Sequence, residues 1–357
     1  MNYPCAQRAF GEQGALRAPR FSGMMRAMID RAAPAPRLSC IMPAYNEAAN
    51  LPRVVPEVLT ALARLSPQVE LILVNDGSRD DTAAVAAQLC LQHPQLVLID
   101  LSRNFGKEAA LSAGLDHARG DAVFIMDADG QHPTALLAEM LAAWVQGFDV
   151  VYTVRRTRAD QGPVQRELTR LFYGLVNWQA RVKVPPNAGD FRLMDARVVQ
   201  ALRLMPERHR FMKGMYAWVG FRSLALDYEP LPRLAGETRF GLRGAFSLGA
   251  TGLLAFSATP LRLMGVAGIL LSLAALFYGI WVVFEYHFLG IDVPGYATIV
   301  AGMMFLAGVQ LMSIGLLSEY VARIYDEVKR RPMYLVAQQI GQGLVDAPSA
   351  ANEGAGR

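Results

Sequence analysis

Val123-Phe124-Ile125-Met126-Asp127-Ala128-Asp129 is the stretch on which the reading of this chain turns. Four apolar residues, opened by Gly120-Asp121, read as a buried strand. Two carboxylates spaced i and i+2 leave that strand together, where the chain bends into a loop. A hard cation such as Mg²⁺ or Mn²⁺ takes oxygen ligands and shares them readily with substrate phosphates. An isolated Asp-x-Asp is equally compatible with an acidic turn, so the surrounding pattern decides.

That pattern alternates. Leu38–Met42, Glu70–Val74, Leu96–Ile99, Ala122–Met126 and Asp149–Tyr152 read as strands. Between them Glu47–Ala63, Asp80–Leu91, Gly106–His117 and Thr134–Gln146 carry apolar residues at helical spacing. Strands separated by helices imply an α/β fold, a Rossmann-like and mostly parallel sheet covered on both faces. Ligands in such folds collect beyond the carboxyl ends of the strands. Four strand ends are polar here: Pro43-Ala44-Tyr45-Asn46-Glu47, Asn75-Asp76-Gly77-Ser78, Ser102-Arg103-Asn104 and Asp127-Ala128-Asp129. No Gly-x-Gly-x-x-Gly follows the first strand and no Gly-x-x-x-x-Gly-Lys-Ser/Thr occurs; Phe105-Gly106-Lys107 is too short to count. A nucleotide in this crevice must be held by carboxylates on base and ribose and by a metal on its diphosphate.

Composition narrows the class. The chain has 357 residues, 53% of them hydrophobic, with the apolar excess near the C-terminus. Cys5, Cys40 and Cys90 are too few and scattered for a disulfide framework or thiolate cluster. The five histidines show no paired spacing, which excludes a zinc reading. A net charge of +4 is modest, and no nucleic-acid partner is expected. Residues 1–36 mix Gly, Ala, Pro and Arg without periodicity and read as a disordered basic tail rather than a secretory signal. Met24, Met25 or Met28 is the expected physiological start.

Six motifs in order carry a resemblance. Pro43–Glu47, Val74–Ser78, Arg103–Lys107 and Asp127–Gln131 together resemble the GT-A catalytic domain of family 2 glycosyltransferases. Gly189-Asp190-Phe191-Arg192-Leu193 and Arg210-Phe211-Met212-Lys213-Gly214 narrow it to polyprenyl-phosphate glycosyltransferases, which include dolichol-phosphate mannose synthase and the bactoprenol glucosyltransferases. The resemblance is strongest to the latter and covers roughly residues 37 to 336. It implies donor contacts at Pro43, Tyr45, Glu47 and Asp76, metal ligands at Asp129 and Gln131, and Asp127 on the donor ribose or a metal-bound water. Asp76 could also be no more than a turn-forming Asp-Gly. This chain departs from the family at Gly130, usually hydrophobic, and His132, usually acidic; His132 reads as a solvated loop histidine.

The resemblance also implies that Asp190, with Arg192 beside it, is the catalytic aspartate. A lipid monophosphate has a second pKa near 6 and is largely ionised at neutral pH, so proton abstraction contributes little. Asp190 is therefore expected to orient an arginine or the acceptor; a plain salt bridge to Arg192 is the simpler alternative. The acceptor phosphate needs cations of its own. Among Arg210, Lys213, Arg233, Arg239 and Arg243, the specific role is expected of Arg210, Arg239 and Lys213. The same residues would also suit anionic membrane lipids. Arg155, Arg156 and Arg158 read as a mobile loop beside the donor.

Leu263–Phe284 and Tyr296–Leu317 are apolar runs long enough, at about 33 Å as helix, to cross a hydrocarbon core of about 30 Å. Their connector has no Lys or Arg, whereas Arg239, Arg243, Arg262, Arg323, Lys329, Arg330 and Arg331 flank the pair. The positive-inside rule puts both ends and the catalytic domain in the cytosol, at the bacterial inner membrane. The expected organisation is a GT-A domain at 37–235, interfacial amphipathic helices at 236–259, and a transmembrane hairpin at 260–318 (spans 263–284 and 296–317). A juxtamembrane helix at 319–336 and a disordered tail at 337–357 complete it. The expected reaction is an inverting, metal-dependent transfer of a hexose, glucose from UDP-glucose by resemblance, to undecaprenyl phosphate. GDP-mannose or an amino-sugar nucleotide is the alternative donor, and a non-catalytic lipid-carrier partner the alternative class. The resemblance also suggests a homotetramer.

Overall fold

The computed structural model describes residues 35–155, 188–208, 210–231, 259–289 and 295–344. Residues 1–34 of the expected N-terminal tail, residues 236–258 of the expected interfacial helices with Arg239 and Arg243, and also Arg156, Arg158 and Arg233 lie outside the described residues. Strands β1 (Leu38–Ala44), β2 (Val69–Asn75), β3 (Leu96–Leu101) and β4 (Ala122–Ile125) alternate with helices α1 (Leu51–Ala63), α2 (Thr82–Gln92), α3 (Lys107–His117) and α4 (Leu136–Val145). There follow β5 (Val150–Arg155), β6 (Ala188–Asp195), α5 (Ala196–Arg203), α6 (Met212–Trp218) and β7 (Ser223–Tyr228). Two long helices, α7 (Thr259–Leu289) and α8 (Tyr296–Lys329), precede a last strand, β8 (Val336–Ile340).

Among the described residues one eight-stranded sheet runs in the order β7-β5-β6-β4-β1-β2-β3-β8. Strands β3, β2, β1 and β4 are mutually parallel, as their continuous apolar runs require of strands covered on both faces. One face packs on α1, α2 and α4 around Leu51, Leu62, Phe124 and Trp144; the other packs on α3, α5 and α6 around Leu111, Val198 and Met212. Strand β6 is wedged antiparallel between β4 and β5. Its Asp195 caps α5 by accepting from Arg197 N–H and also accepts from the Trp144 indole at 2.9 Å, which locks this insertion to α4.

Where the sheet opens is dictated by a proline. Ile41 is the last β1 residue paired with β4, and the next β1 residue facing that side is Pro43, which has no N–H to donate. The ladder stops there, and β4 diverges into Asp127–Asp129 while β1 stays paired with β2 through Asn75.

The C-terminal part corrects two expectations. The second apolar run and the juxtamembrane segment form one continuous helix, Tyr296–Lys329, because nothing in 318–329 breaks it. Residues 336–344 are no tail: β8 pairs antiparallel with β3, and Leu344 N–H donates to the buried Glu70 carboxylate at 2.8 Å. Ser102 N–H donates to Leu335 O, and Tyr334 Oη donates to Asp116 at 2.7 Å. The segment after the hairpin is thus stitched to the catalytic sheet. Helices α7 and α8 are long and apolar enough to cross a membrane, and none of their apolar windows is buried in the protein. Ile269, Phe277, Trp281, Met304 and Phe305 are all more than half exposed. At ~1.5–3 kcal/mol per buried side chain, keeping such a surface in water would cost tens of kcal/mol.

Candidate active site

The crevice is floored by the carboxyl ends of β1, β2 and β4 and closed by β6. At the end of β2, Asp76 is buried, and its two oxygens accept from Phe105 N–H at 2.7 Å and Gly106 N–H at 2.9 Å. Burial pushes this carboxyl above its usual value, and those two N–H groups oppose the shift. Gly77 has φ +57°, and a Cβ there would overlap the Arg103 main chain, so only glycine lets the two loops touch. Asn46, also left-handed at φ 55°, donates its N–H to Ser78 Oγ at 2.9 Å and accepts from Arg79 N–H at 2.8 Å. Glu47 N–H donates to Thr82 Oγ1, and Glu47 accepts from the Asn50 amide at 2.6 Å. Three loops distant in sequence are thereby one rigid wall, with Pro43, Tyr45, Glu47 and Asp76 along it.

The Asp127–His132 loop is built differently. Asp129 is buried, and its Oδ1 accepts from Gln131 N–H at 3.1 Å across Gly130, whose φ of +73° accounts for glycine where a hydrophobic side chain is usual. His132 is buried rather than solvated. Its Nδ1 accepts from Asp127 N–H at 3.0 Å, which leaves the proton on Nε2. Its ring stacks on Phe191 at 4.6 Å and 13°. The loop turns inward to make these contacts, and burial holds the imidazole below its usual pKa.

Asp190 and Arg192 stand on β6, on the face opposite Phe191. They do not pair with each other. Arg192 donates from Nη2 to Gly189 O at 2.7 Å and lies 3.5 Å from the Tyr216 ring centroid. Among the described residues, Arg192 Nε and Tyr216 Oη are buried without a hydrogen-bond partner. Asp190 contacts Lys107 instead, at 2.8 Å, and the same ammonium reaches Asp127 at 2.7 Å. Burial works to raise Asp190, but Lys107 and then Lys213 outweigh it and hold the carboxyl well below its usual range. Burial, reinforced by Asp190, pushes Glu108 up to about 7; Glu108 accepts from Met212 N–H at 3.3 Å.

The expected cations separate. Lys213 lies in the field of Asp190 and Glu108. Arg210 is buried and spends its guanidinium on Ser112 Oγ at 3.2 Å, Met205 O at 2.9 Å and Glu207 O at 3.2 Å, fixing the turn before α6. Arg155 belongs to β5 rather than to a loop; it donates to Tyr228 Oη at 3.2 Å within the field of Asp127 and Asp129. Two features escaped sequence reasoning. Lys107 looks like a fragment of a phosphate loop, and His132 like a loop residue; only the stacking partner Phe191 hints at the second.

Oxygen donors at Asp129 and Gln131 suit Mg²⁺ or Mn²⁺. Among the described residues no group of three His, Cys, Asp or Glu forms a protein cage. Hard cations of this kind take substrate phosphates and water as further ligands.

Residues 39–203 match the Glycosyl transferase family 2 domain, and residues 259–324 match the GtrB C-terminal hairpin. An uncharacterized glycosyltransferase of Synechocystis sp. is 42% identical over 304 residues, 85% of this chain and 96% of that protein. A prophage bactoprenol glucosyl transferase homolog of Escherichia coli K12 is 37% identical over 300 residues, 84% of this chain and 98% of that protein. The bactoprenol glucosyl transferase of Shigella phage SfII is 38% identical over 301 residues, 84% of this chain and 97% of that protein. The parallel sheet, its polar crevice and the apolar helix pair coincide with these two matched regions. The chain belongs to glycosyl transferase family 2 and is a glycosyltransferase of the kind that joins a GT-A domain to the GtrB hairpin.

Proposed function

We propose that this protein transfers a hexose, glucose from UDP-glucose, to a polyprenyl phosphate at the cytoplasmic face of the bacterial inner membrane, with inversion at the anomeric carbon. The observation that carries this reading is the joining of a carboxylate-lined crevice to two unburied apolar helices within one chain. Similarity to proteins named bactoprenol glucosyl transferase supports both sugar and acceptor. The crevice provides for a nucleotide without a phosphate loop. Asp76 keeps acceptor capacity beyond its two backbone bonds, since a carboxylate has about four acceptor sites. Pro43, Tyr45 and Glu47 line the same wall for base and ribose.

Asp129 and Gln131 are the residues that would hold the cation, which when bound supplies positive charge against the departing diphosphate. Asp127 faces the donor ribose from the neighbouring position. An acceptor phosphate oxygen attacks the anomeric carbon in line; its new bond forms as the bond to the diphosphate breaks, and no proton has to leave the nucleophile. Asp190, held ionised, is a weak base, and its part is to orient the acceptor beside Lys213. Arg210, buried in the turn before α6, holds the acceptor segment in place rather than touching phosphate. Helices α7 and α8 cross the bilayer, with the catalytic domain on the cytosolic side.

The test uses membranes containing the full chain, a panel of radiolabelled nucleotide sugars with Mg²⁺ or Mn²⁺, and solvent extraction of product. Labelled lipid from UDP-glucose is the expected result. Labelled lipid only from GDP-mannose or an amino-sugar nucleotide would replace the donor. No product from any donor would favour a lipid-carrier binding protein.

A further inference from the structure

Three observations meet at Lys107, which has no part in the chemistry above. Continuing the β4–β6 register two residues beyond Ile125↔Arg192 sets Asp127 against Asp190. Like charges directly opposite on neighbouring strands repel. Here the donor half of the crevice meets the acceptor half, and one ammonium spans the two carboxylates at 2.7 Å and 2.8 Å.

The second observation is local. Lys107 is the first residue of α3, at the positive end of a helix, where a cation is disfavoured. A local preference broken in this way is characteristic of side chains that serve a site. The third is the anchoring of its backbone. Asp76 holds the two preceding N–H groups, Gly77 presses on Arg103, and Arg203 fastens the far end of α3 by donating to Leu115 O and Ala118 O. The flexible lysine therefore reaches out from a base fixed at both ends.

We propose that Lys107 is a positioning residue of the transfer reaction, tying Asp127 on the donor side to Asp190 on the acceptor side so that the attacking oxygen meets the anomeric carbon. The inference rests on the glycosyltransfer reading above. It also accounts for why Asp190 leaves Arg192 to Gly189 O and the Tyr216 ring: its charge partner comes from α3 instead.

The test compares Lys107→Met and Lys107→Arg in the full chain, alone and combined with Asp190→Asn. Lys107→Met is expected to lower kcat about 100-fold, the effect of misplacing reacting groups by about an ångström. Donor KM and UDP affinity should stay within about threefold, because no ground-state donor contact is lost. Lys107→Arg should regain at least about a tenth of the wild-type kcat, since a guanidinium can also span two carboxylates. In thermal unfolding, the losses from Lys107→Met and Asp190→Asn should be non-additive, the double variant being no less stable than the weaker single one.

A raised donor KM with unchanged kcat would overturn the proposal by making Lys107 a donor ligand. A kcat within about twofold of wild type, or additive unfolding losses, would overturn it as well. If the wild type makes no lipid-linked product from any donor, the transferase reading itself fails, and the unfolding coupling still decides whether the bridge exists.

Discussion

The donor and acceptor sides of one crevice are built by different means. The donor wall is backbone architecture: parallel strands end together, and their loops are cross-linked by main-chain hydrogen bonds to Asp76, Asn46, Ser78 and Thr82. The acceptor side hangs on one antiparallel strand, and its alignment relies on side-chain charges: Asp190 with Lys107, Arg192 over Tyr216, and Glu108 under Met212. Backbone scaffolds tolerate ionic change; charge-built sites do not. Leaving aside Asp129 and the other groups that would meet the donor or its cation directly, substitutions that alter charge without altering shape should therefore be more damaging on the acceptor side.

The sharpest way to break that contrast is Asp190→Asn, an isosteric change. Its kcat should fall by about 10²–10³, as for loss of a group that orients the transition state. The loss should persist at pH 9, because Asp190 orients the acceptor and is already ionised at neutral pH. Recovery at alkaline pH would make it the proton acceptor, and the acceptor side would then be a site of acid–base chemistry.

Arg210→Met comes next and tests stability. It removes the donor to the carbonyls of Met205 and Glu207 and to the Ser112 hydroxyl oxygen, so unfolding in denaturant should reveal a loss of about 2–4 kcal/mol with donor KM unchanged. A folded, equally stable variant with a selectively raised acceptor KM would return Arg210 to phosphate binding. Lys213→Ala should do what Arg210→Met does not, raising acceptor KM about tenfold at unchanged stability.

The smallest effect is a pH dependence. The Glu108 carboxyl has its ordinary value at 4.5 and is pushed up to about 7 in the fold. Between those values the folded state binds more protons than the unfolded one, so this group's contribution to stability falls as pH rises through the window. Glu108→Gln should flatten the decline in melting temperature between about pH 5 and pH 8. An unchanged slope would show that Glu108 is not the group responsible.

The same contrast explains what could be read from the chain. Strand ends of a parallel sheet are marked by apolar runs stopping at Pro, Asn-Asp-Gly or Asp-x-Asp, so the donor wall was visible in Pro43–Glu47, Asn75–Ser78 and Asp127–Asp129. Strand β6 was not, because Ala188–Asp195 carries Asp190, Arg192 and Asp195 in eight residues and its pairing is decided by distant partners. Strand β8, Val-Ala-Gln-Gln-Ile, is largely exposed and reads as a tail until β3 supplies its ladder. A buried arginine that satisfies carbonyls has the same letter as one that binds phosphate, which is why Arg210 reads as a phosphate ligand. His132 is buried by a stacking partner nearly sixty residues away. The apolar hairpin needed no tertiary knowledge, since length and hydropathy alone define it.

Asp129, the buried carboxylate beyond the end of β4, is the side chain on which metal-dependent transfer should depend most. Full-length Asp129→Ala protein, shown to be folded and membrane-bound, should be assayed beside wild type for lipid-linked sugar formation with Mg²⁺ or Mn²⁺. The expected result is transfer reduced by at least about 10³-fold, the scale of losing the electrostatic support for a departing diphosphate. Unimpaired transfer by that variant would contradict the account and reduce Asp127-Ala128-Asp129 to an acidic turn.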